Sequence, residues 1–337
     1  MKVITCENKE FGGLWDELCQ QNLVHPILSL NHKDFYKELL GNNFIKDLSF
    51  IVLDQDTPIL GVGLSSRRCD KGNLKFDYLG LAAPVVLSSE SNSKQRKSAG
   101  LEVKRVLRDI GLFDGQDIAE KGFKFEILNE IALQSGLADE IFPLASKISP
   151  NLNRVIDLGL ELNELHSDLS KSVKQAVKQS EKIPMLTSII DLHSADSEVE
   201  DAFDALKTLH FASAGRLTRS EKSWEIQKEG ILNGSNFISQ SRILGNVVSS
   251  ALFLNGNNSS FYGVSASSKE FTKISLSHCV VWEAIKYSKE VGMQKVFLGS
   301  QYSEKTRTVS QKEISIERFK SLFGGSLLLS VLAERNV

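Results

Sequence analysis

The sequence predicts an α+β chain of two related domains, residues 1–160 and 161–337, each a mixed, mostly antiparallel sheet flanked by helices. Three observations carry that expectation. At 337 residues the chain is too long for one small core and suits two domains of about 150–170 residues. Each half contains a strand–turn–strand hairpin. The first joins Ser49–Leu53 to Ile59–Leu64 across Gln55-Asp56-Thr57-Pro58; the second opens at Val247, turns at Asn255–Gly256 and returns through Phe261, Tyr262 and Val264. Stretches of helical periodicity flank both hairpins. No evident identity links the halves, so the repeat is one of layout.

Hydrophobic residues make up 41% and charged residues 24%, an ordinary globular balance. The net charge of −2, from 40 basic and 42 acidic residues, argues against a protein whose main work is gripping nucleic acid, because phosphate neutralisation needs a basic surplus, although a local basic patch is compatible with it. The four cysteines (Cys6, Cys19, Cys69, Cys279) form no Cys-x-x-Cys pair, so neither a disulfide framework nor a zinc site is expected. The N-terminus lacks the pattern of a signal peptide and no run approaches the roughly 20 apolar residues of a membrane span. A cytoplasmic protein is expected.

In the first half, Trp15–Cys19 and Asp34–Leu40 carry apolar residues three and four apart and read as short helices, with His25-Pro26 breaking the chain between them. A third strand is expected at Leu74–Leu79, ending at Gly80. The polar run Ser88–Ser98 reads as an exposed loop, Leu101–Ile110 as a helix, and Phe123–Leu128 and Arg154–Leu158 as strands. The stretch Ile141–Ile148, interrupted by Pro143, takes no assignment. Gly61-Val62-Gly63 follows an apolar strand, but Arg67, Arg68, Cys69 and Asp70 come next rather than a helix. A dinucleotide fingerprint requires strand, glycine loop and helix together, so these glycines read as part of a hairpin.

In the second half, Asp168–Lys182 reads as one helix, with Ser167 or Asp168 as N-cap and Pro184 beyond its end. Leu169, Val173 and Val177 form its apolar stripe; Lys171, Lys174, Lys178 and Lys182 form a basic one, which can meet phosphates or simply face solvent. A strand at Met185–Asp191, helices at Glu198–Ala212 and Trp224–Ile231, and a strand at Phe237–Leu244 lead to the second hairpin. A polar loop, an amphipathic helix ending at Gly292 and a short strand Val296–Gly299 follow it. A loop entering a helix N-terminus can hold an anion.

Four phrases together resemble the FemAB-like branch of the GNAT (acyl-CoA N-acyltransferase) superfamily. They are the basic helix Asp168–Lys182; Leu209-His210 leading into Gly215-Arg216; the run from Ala251 through Trp282-Glu283-Ala284-Ile285 to Gly292; and Leu298-Gly299 followed by Phe319-Lys320 and Phe323-Gly324-Gly325. The last two match in order and spacing as well as in letters, and coverage is best over residues 165–325. The resemblance implies two tandem GNAT-like domains with an acceptor in an inter-domain cleft and the donor site in the C-terminal domain. Some members use aminoacyl-tRNA to extend cell-wall precursors; others resemble acyl-CoA enzymes acting on sugars of surface polysaccharides. No long charged heptad run is present to build the coiled-coil arm of several tRNA-using members, which leans toward acyl-CoA, with acetyl-CoA as the simplest co-substrate. The expected function is N-acylation of an amino sugar, nucleotide-linked, for surface polysaccharide biosynthesis, without a metal. Aminoacyl-tRNA-dependent transfer to a cell-wall precursor and a non-catalytic GNAT-like binding protein are the alternatives.

The resemblance also assigns residues. Backbone N–H groups near Tyr262, Gly263, Val264 and Ser265 would polarise the acyl carbonyl. Ser265, Ser267 and Lys269, in a loop before a helix, would hold donor phosphates. That loop lacks the Arg/Gln-x-x-Gly-x-Gly/Ala signature of simple GNAT enzymes. Lys320 is the leading catalytic candidate, since a lysine can stabilise a developing oxyanion or meet a phosphate as a point charge. His210 titrates in the useful range, with a capping or core role as the alternative, and Tyr302 is a candidate proton donor to the leaving group. Arg216 and Arg219 can pair with an acceptor phosphate or carboxylate, and Phe319 is placed with them on the acceptor side. His278 reads as structural.

Overall fold

The structure is a computed structural model that describes residues 1–22, 24–69, 72–112, 121–128, 136–271, 275–301 and 310–336. The chain divides into two compact units: Met1–Val24, Leu40–Asn151 and Leu329–Val337 form one, His25–Leu39 and Leu152–Leu328 the other. The second unit thus takes in a segment from the N-terminal half, made of 3-10 turns and nearly all of a helix α2 (Lys33–Leu40) that follows α1 (Phe11–Gln21) in the chain.

The first unit is a mixed sheet. Strands β1 (Lys2–Thr5), β3 (Phe50–Asp54), β4 (Thr57–Val62) and β7 (Ala83–Leu87) run antiparallel in that order, and β7 pairs parallel with β8 (Lys121–Ile127). The last strand, β15 (Ser326–Arg335), closes against β8 through Val331–Arg335. A second branch runs from β2 (Phe44–Asp47) through β5 (Ser65–Arg68) and β6 (Leu74–Asp77) to β8. The hairpin reading of Gly61 and Gly63 has a packing reason. A Cβ on Gly61 would stand 2.7 Å from Leu18 and 3.1 Å from Trp15 of α1, and one on Gly63 would stand 2.9 Å from Pro84.

The polar run Ser88–Ser98 is not a loop throughout: α3 begins within it and spans Ser93–Asp109. Asn92 accepts from the Gln95 N–H at 3.0 Å while Gln95 accepts from the Asn92 N–H at 2.9 Å. This capping box satisfies the first turn with the polar residues that disguise it. Asn92→Ala is expected to lower stability by about 1 kcal/mol in urea unfolding. Further on, the segment Ile141–Ile148 contains the end of a short helix, α4 (Ala138–Ile141), and a 3-10 turn at Phe142–Leu144.

In the second unit β9 (Lys147–Asp157) leads to α5 (Leu162–Asp168), α6 (Lys171–Ser180), β10 (Met185–Ile190), α7 (Asp196–Ala214) and α8 (Glu221–Leu232). Then come β11 (Asn236–Ile243), β12 (Asn246–Asn255), β13 (Ser259–Ser267), α9 (Leu276–Glu290), β14 (Lys295–Gln301) and α10 (Gln311–Ser321). Strands β10 to β13 are antiparallel neighbours, β13 pairs parallel with β14, and β14 pairs antiparallel with β9. Strand alternation sends Phe237, Ala251 and Phe253 to a core with α9 and Val173 of α6. Ile238 and Leu252 point the other way, to a core with Val199, Phe203 and Leu206 of α7 and Trp224 of α8.

The expected helix Asp168–Lys182 starts later and ends sooner: Asp168 closes α5, and α6 spans Lys171–Ser180. Leu169 is extended (φ −60, ψ 142) and buried, and the Ser170 hydroxyl accepts from the Val173 N–H at 3.3 Å, so Ser170 caps a new helix. The closing pair Gly324-Gly325 is also structural. Both residues have positive φ (+74 and +75), and any Cβ on them would run into Asp168 and Val155. Asp168 accepts from the Gly325 N–H at 2.7 Å, and Arg154 donates to Gly324 O at 2.9 Å.

Candidate active site

The site grows out of a fork between β13 and β14. Their parallel pairing covers only Ser259–Phe261 against Lys295–Phe297. Each strand then bulges. Gly263 is the extra residue on β13, since Leu252 faces Val264 and Phe253 faces Tyr262; Leu298 is the extra residue on β14. Past Phe261 and Phe297 the strands no longer pair with each other, and alternate backbone groups face the gap.

Lys320 comes to this fork from the last turn of α10. Gly299 on β14 has φ +95, and the place its Cβ would occupy lies 2.7 Å from Lys320 Nζ and 3.3 Å from the Phe261 ring. The ammonium therefore rests on bare backbone beside Phe261, half-buried. Withdrawal from water pushes its pKa down to about 8, with Glu317 pulling weakly the other way. Among the described residues its Nζ has no hydrogen-bond acceptor. Neighbouring Phe319 turns away from the fork into the core, against Phe323 at 5.3 Å and Tyr262 at 6.3 Å.

Two histidines that the sequence reading passed over lie at the same place. The His25 ring packs on Phe261 and Phe297, the last register pair before the fork opens, with centroids 4.3 and 4.8 Å apart. Burial, then His32, then Lys320 push its pKa down to about 3. His32 is buried and donates from Nε2 to Asn255 O at 2.9 Å. In the sequence they were visible only as a helix-breaking His25-Pro26 and a loop; no local pattern announces a segment that packs on strands more than two hundred residues away.

The other expected residues are placed as follows. Ser265 and Ser267 do not lie in a loop: they belong to β13, pairing with Ala251 and Ser249. The Ser267 hydroxyl sits between those of Ser249 (2.8 Å) and Ser277 (2.7 Å), and Tyr262 is hydrogen-bonded to Ser265, its phenol pushed up to about 12 by burial. Exposed Lys269 donates to Ala212 O at 3.4 Å. His210 meets Thr218 at 2.9 Å and the edge of Trp224; burial, then Arg219 and Lys312, lower its pKa. Arg219 lies over Trp224 at 4.3 Å and Phe35 at 5.6 Å and donates to Gln227 at 2.8 Å, so its guanidinium ties α2 to α8. Arg216 is exposed, and His278 is half-buried beside Phe319 and Phe323. Tyr302 lies outside the described residues. The structure thus gathers Lys320, Gly299, Phe261 and His25 at the fork, keeps Tyr262, Gly263 and Val264 along one of its strands, and carries Arg219 and His210 on a separate cluster.

Among the described residues no group of three or more His, Cys, Asp or Glu side chains is placed to hold a metal, and no helix is long and apolar enough to cross a membrane.

Two mixed α+β units, the second carrying a parallel strand pair that forks, make up a fold that other solved structures share. FemX has this fold, with a TM-score of 0.68 over 98% of this chain and 97% of its own at 13% identity. So do L-PGS from Bacillus licheniformis (TM-score 0.57, 11% identity, 96% and 91% covered) and the C-terminal domain of a putative lysylphosphatidylglycerol synthetase from Agrobacterium fabrum (0.56, 11%, 97% and 92%). No family model matches the sequence, and no curated protein matches it.

Proposed function

We propose that the protein is an N-acyltransferase that moves an acyl group from an activated carrier to an amine at the β13–β14 fork. The observation that carries this reading is the Lys320 ammonium, seated on Gly299 without an acceptor among the described residues. As the amine attacks the acyl carbon, a C–N bond forms, the carrier's C–O or C–S bond breaks, the amine's surplus proton ends on the departing oxygen or sulfur, and negative charge collects on the carbonyl oxygen between the two events. A preorganised cation there, out of bulk water, stabilises that charge more than it does the neutral carbonyl. With a pKa near 8, Lys320 is still an ammonium at neutral pH.

The carrier we favour is aminoacyl-tRNA. The hydroxyls and lysine expected to hold CoA phosphates are engaged elsewhere: Ser267 with Ser249 and Ser277, Lys269 with Ala212. On α6 and just beyond it, Lys171, Lys178 and Lys182 are exposed and have no ion pair among the described residues, a stripe suited to a nucleic-acid backbone. The likeness in fold to FemX, and to a protein named as a putative lysylphosphatidylglycerol synthetase, fits transfer of an aminoacyl group. Acyl-CoA transfer to an amino sugar is the second reading. One feature favours it: Ser275 makes no side-chain cap at the start of α9, and a helix start without such a cap suits a phosphate.

The test incubates the protein with radiolabelled aminoacyl-tRNA and an amine-bearing cell-wall precursor, and in parallel with acetyl-CoA and a nucleotide-linked amino sugar. Transfer from the tRNA alone is expected. Thiol release in the second arm alone selects acyl-CoA, and transfer in neither overturns the acyltransferase reading in favour of a binding protein. Gly299→Ala, which would push Lys320 Nζ off its seat, is expected to reduce transfer by roughly 10²-fold, the effect of losing one oxyanion donor.

A further inference from the structure

His25 opens the 3-10 turn Pro26–Leu28, and its Nδ1 accepts the Ile27 N–H at 3.2 Å. A backbone N–H can only donate, so Nδ1 carries no proton, and the neutral ring must hold its hydrogen on Nε2. Protonating the ring would break this bond as well as charge a group withdrawn from water between Phe261 and Phe297. Among the described residues Nε2 has no acceptor. The Lys320 ammonium, likewise a donor without an acceptor among the described residues, reaches the edge of the same Phe261 ring, and its charge acts on the imidazole. Two donors with no acceptor between them, at the mouth of the fork, suit an oxygen that gains negative charge.

We propose that His25 is a hydrogen-bond donor of the reaction site, its Nε2–H holding the acyl carbonyl oxygen together with the Lys320 ammonium. The inference rests on the acyl-transfer reading and adds a residue from the chain's N-terminal part to it. The imidazole moves no proton in this role; it stays neutral while the C–N bond forms and the carrier bond breaks. His32, whose own Nε2–H is taken by Asn255 O, cannot substitute for it.

The test has two arms. Nitrogen NMR of histidine-labelled protein should show His25 with a bare Nδ1 and a protonated Nε2 throughout about pH 5.5 to 8.5, with no titration, against an ordinary histidine pKa near 6.5. A ring that protonates in this range, or carries its proton on Nδ1, overturns the proposal. In the second arm, His25→Asn keeps an acceptor for the Ile27 N–H but no donor at the ε position, whereas His25→Gln places an N–H there. His25→Asn is expected to lower kcat roughly 10²-fold with KM changed less than about three-fold, and His25→Gln to stay within about ten-fold of the parent. Equal loss in both variants, or loss in neither, overturns the assignment. Failure of the acyltransferase reading would instead show as absence of turnover in the parent protein.

Discussion

Lys320→Met is expected to reduce acyl transfer by roughly 10²–10³-fold and, in the same protein, to raise the unfolding midpoint. Both effects follow from one placement. The ammonium sits half-buried on Gly299, and the fold holds it there against its preference for water. Because the folded-state pKa, about 8, lies below the ordinary lysine value of 10.5, the folded protein binds this proton more weakly than the unfolded chain does. The penalty is therefore absent above about pH 10.5, grows as pH falls from there to about 8, and is fully present below. At neutral pH, methionine removes a penalty on the order of 2–3 kcal/mol, worth roughly 4–12 °C in Tm for a unit of this size. A thermal scan and a transfer assay on one preparation check the pair of effects. A stabilised but fully active variant would remove Lys320 from the mechanism.

Gly325→Ala should strongly destabilise the second unit. Its φ of +75 disfavours any side chain by roughly 1–2 kcal/mol. The new methyl would also run into the Val155 carbonyl oxygen and stand 2.7 Å from Ile156 Cδ1 and 3.0 Å from the Val155 carbonyl carbon. Neither Val155 nor Ile156 can give way easily, since both are buried on β9 and paired with β14. A loss of about 3 kcal/mol or more is expected, with the midpoint lowered by roughly 6–12 °C. Chemical denaturation of Gly325→Ala beside Gly292→Ala would check this: Gly292 has φ +81 but nothing within 4 Å of its missing Cβ, so its loss isolates the dihedral part.

The sequence made the layout of the second unit legible because its elements follow local rules. The hairpin β12–β13 announced itself through apolar strands around Asn255–Gly256, and α9 through its period and Gly292. Lys320 was legible as part of a phrase. Its neighbour Phe319 was not: successive helical residues point about 100° apart, so one reaches the fork and the other the core. The α5–α6 break escaped because Leu169 is apolar at a helical spacing, yet serves the core from an extended backbone while Ser170 starts a new cap. The donor loop was misplaced because a run of serines reads as a connection, whereas these serines pair with those of β12 across the strand. Arg219, expected to face an anion, instead lies against Trp224 and Phe35, a use of guanidinium no spacing reveals. Least legible was His25, because its partners, Phe261 and Phe297, are fixed by tertiary structure alone.

If the Lys320 ammonium at the β13–β14 fork supports acyl transfer, the reaction must depend on its proton. The most direct test is the pH dependence of single-turnover transfer in the parent protein and in Lys320→Met. The parent rate should hold up to a pKa near 8 and fall above it as the ammonium loses its proton, and the residual rate of the variant should lack that limb. A parent rate that instead rises through pH 8, or an identical alkaline limb in Lys320→Met, would show that the Lys320 ammonium does not support the transfer.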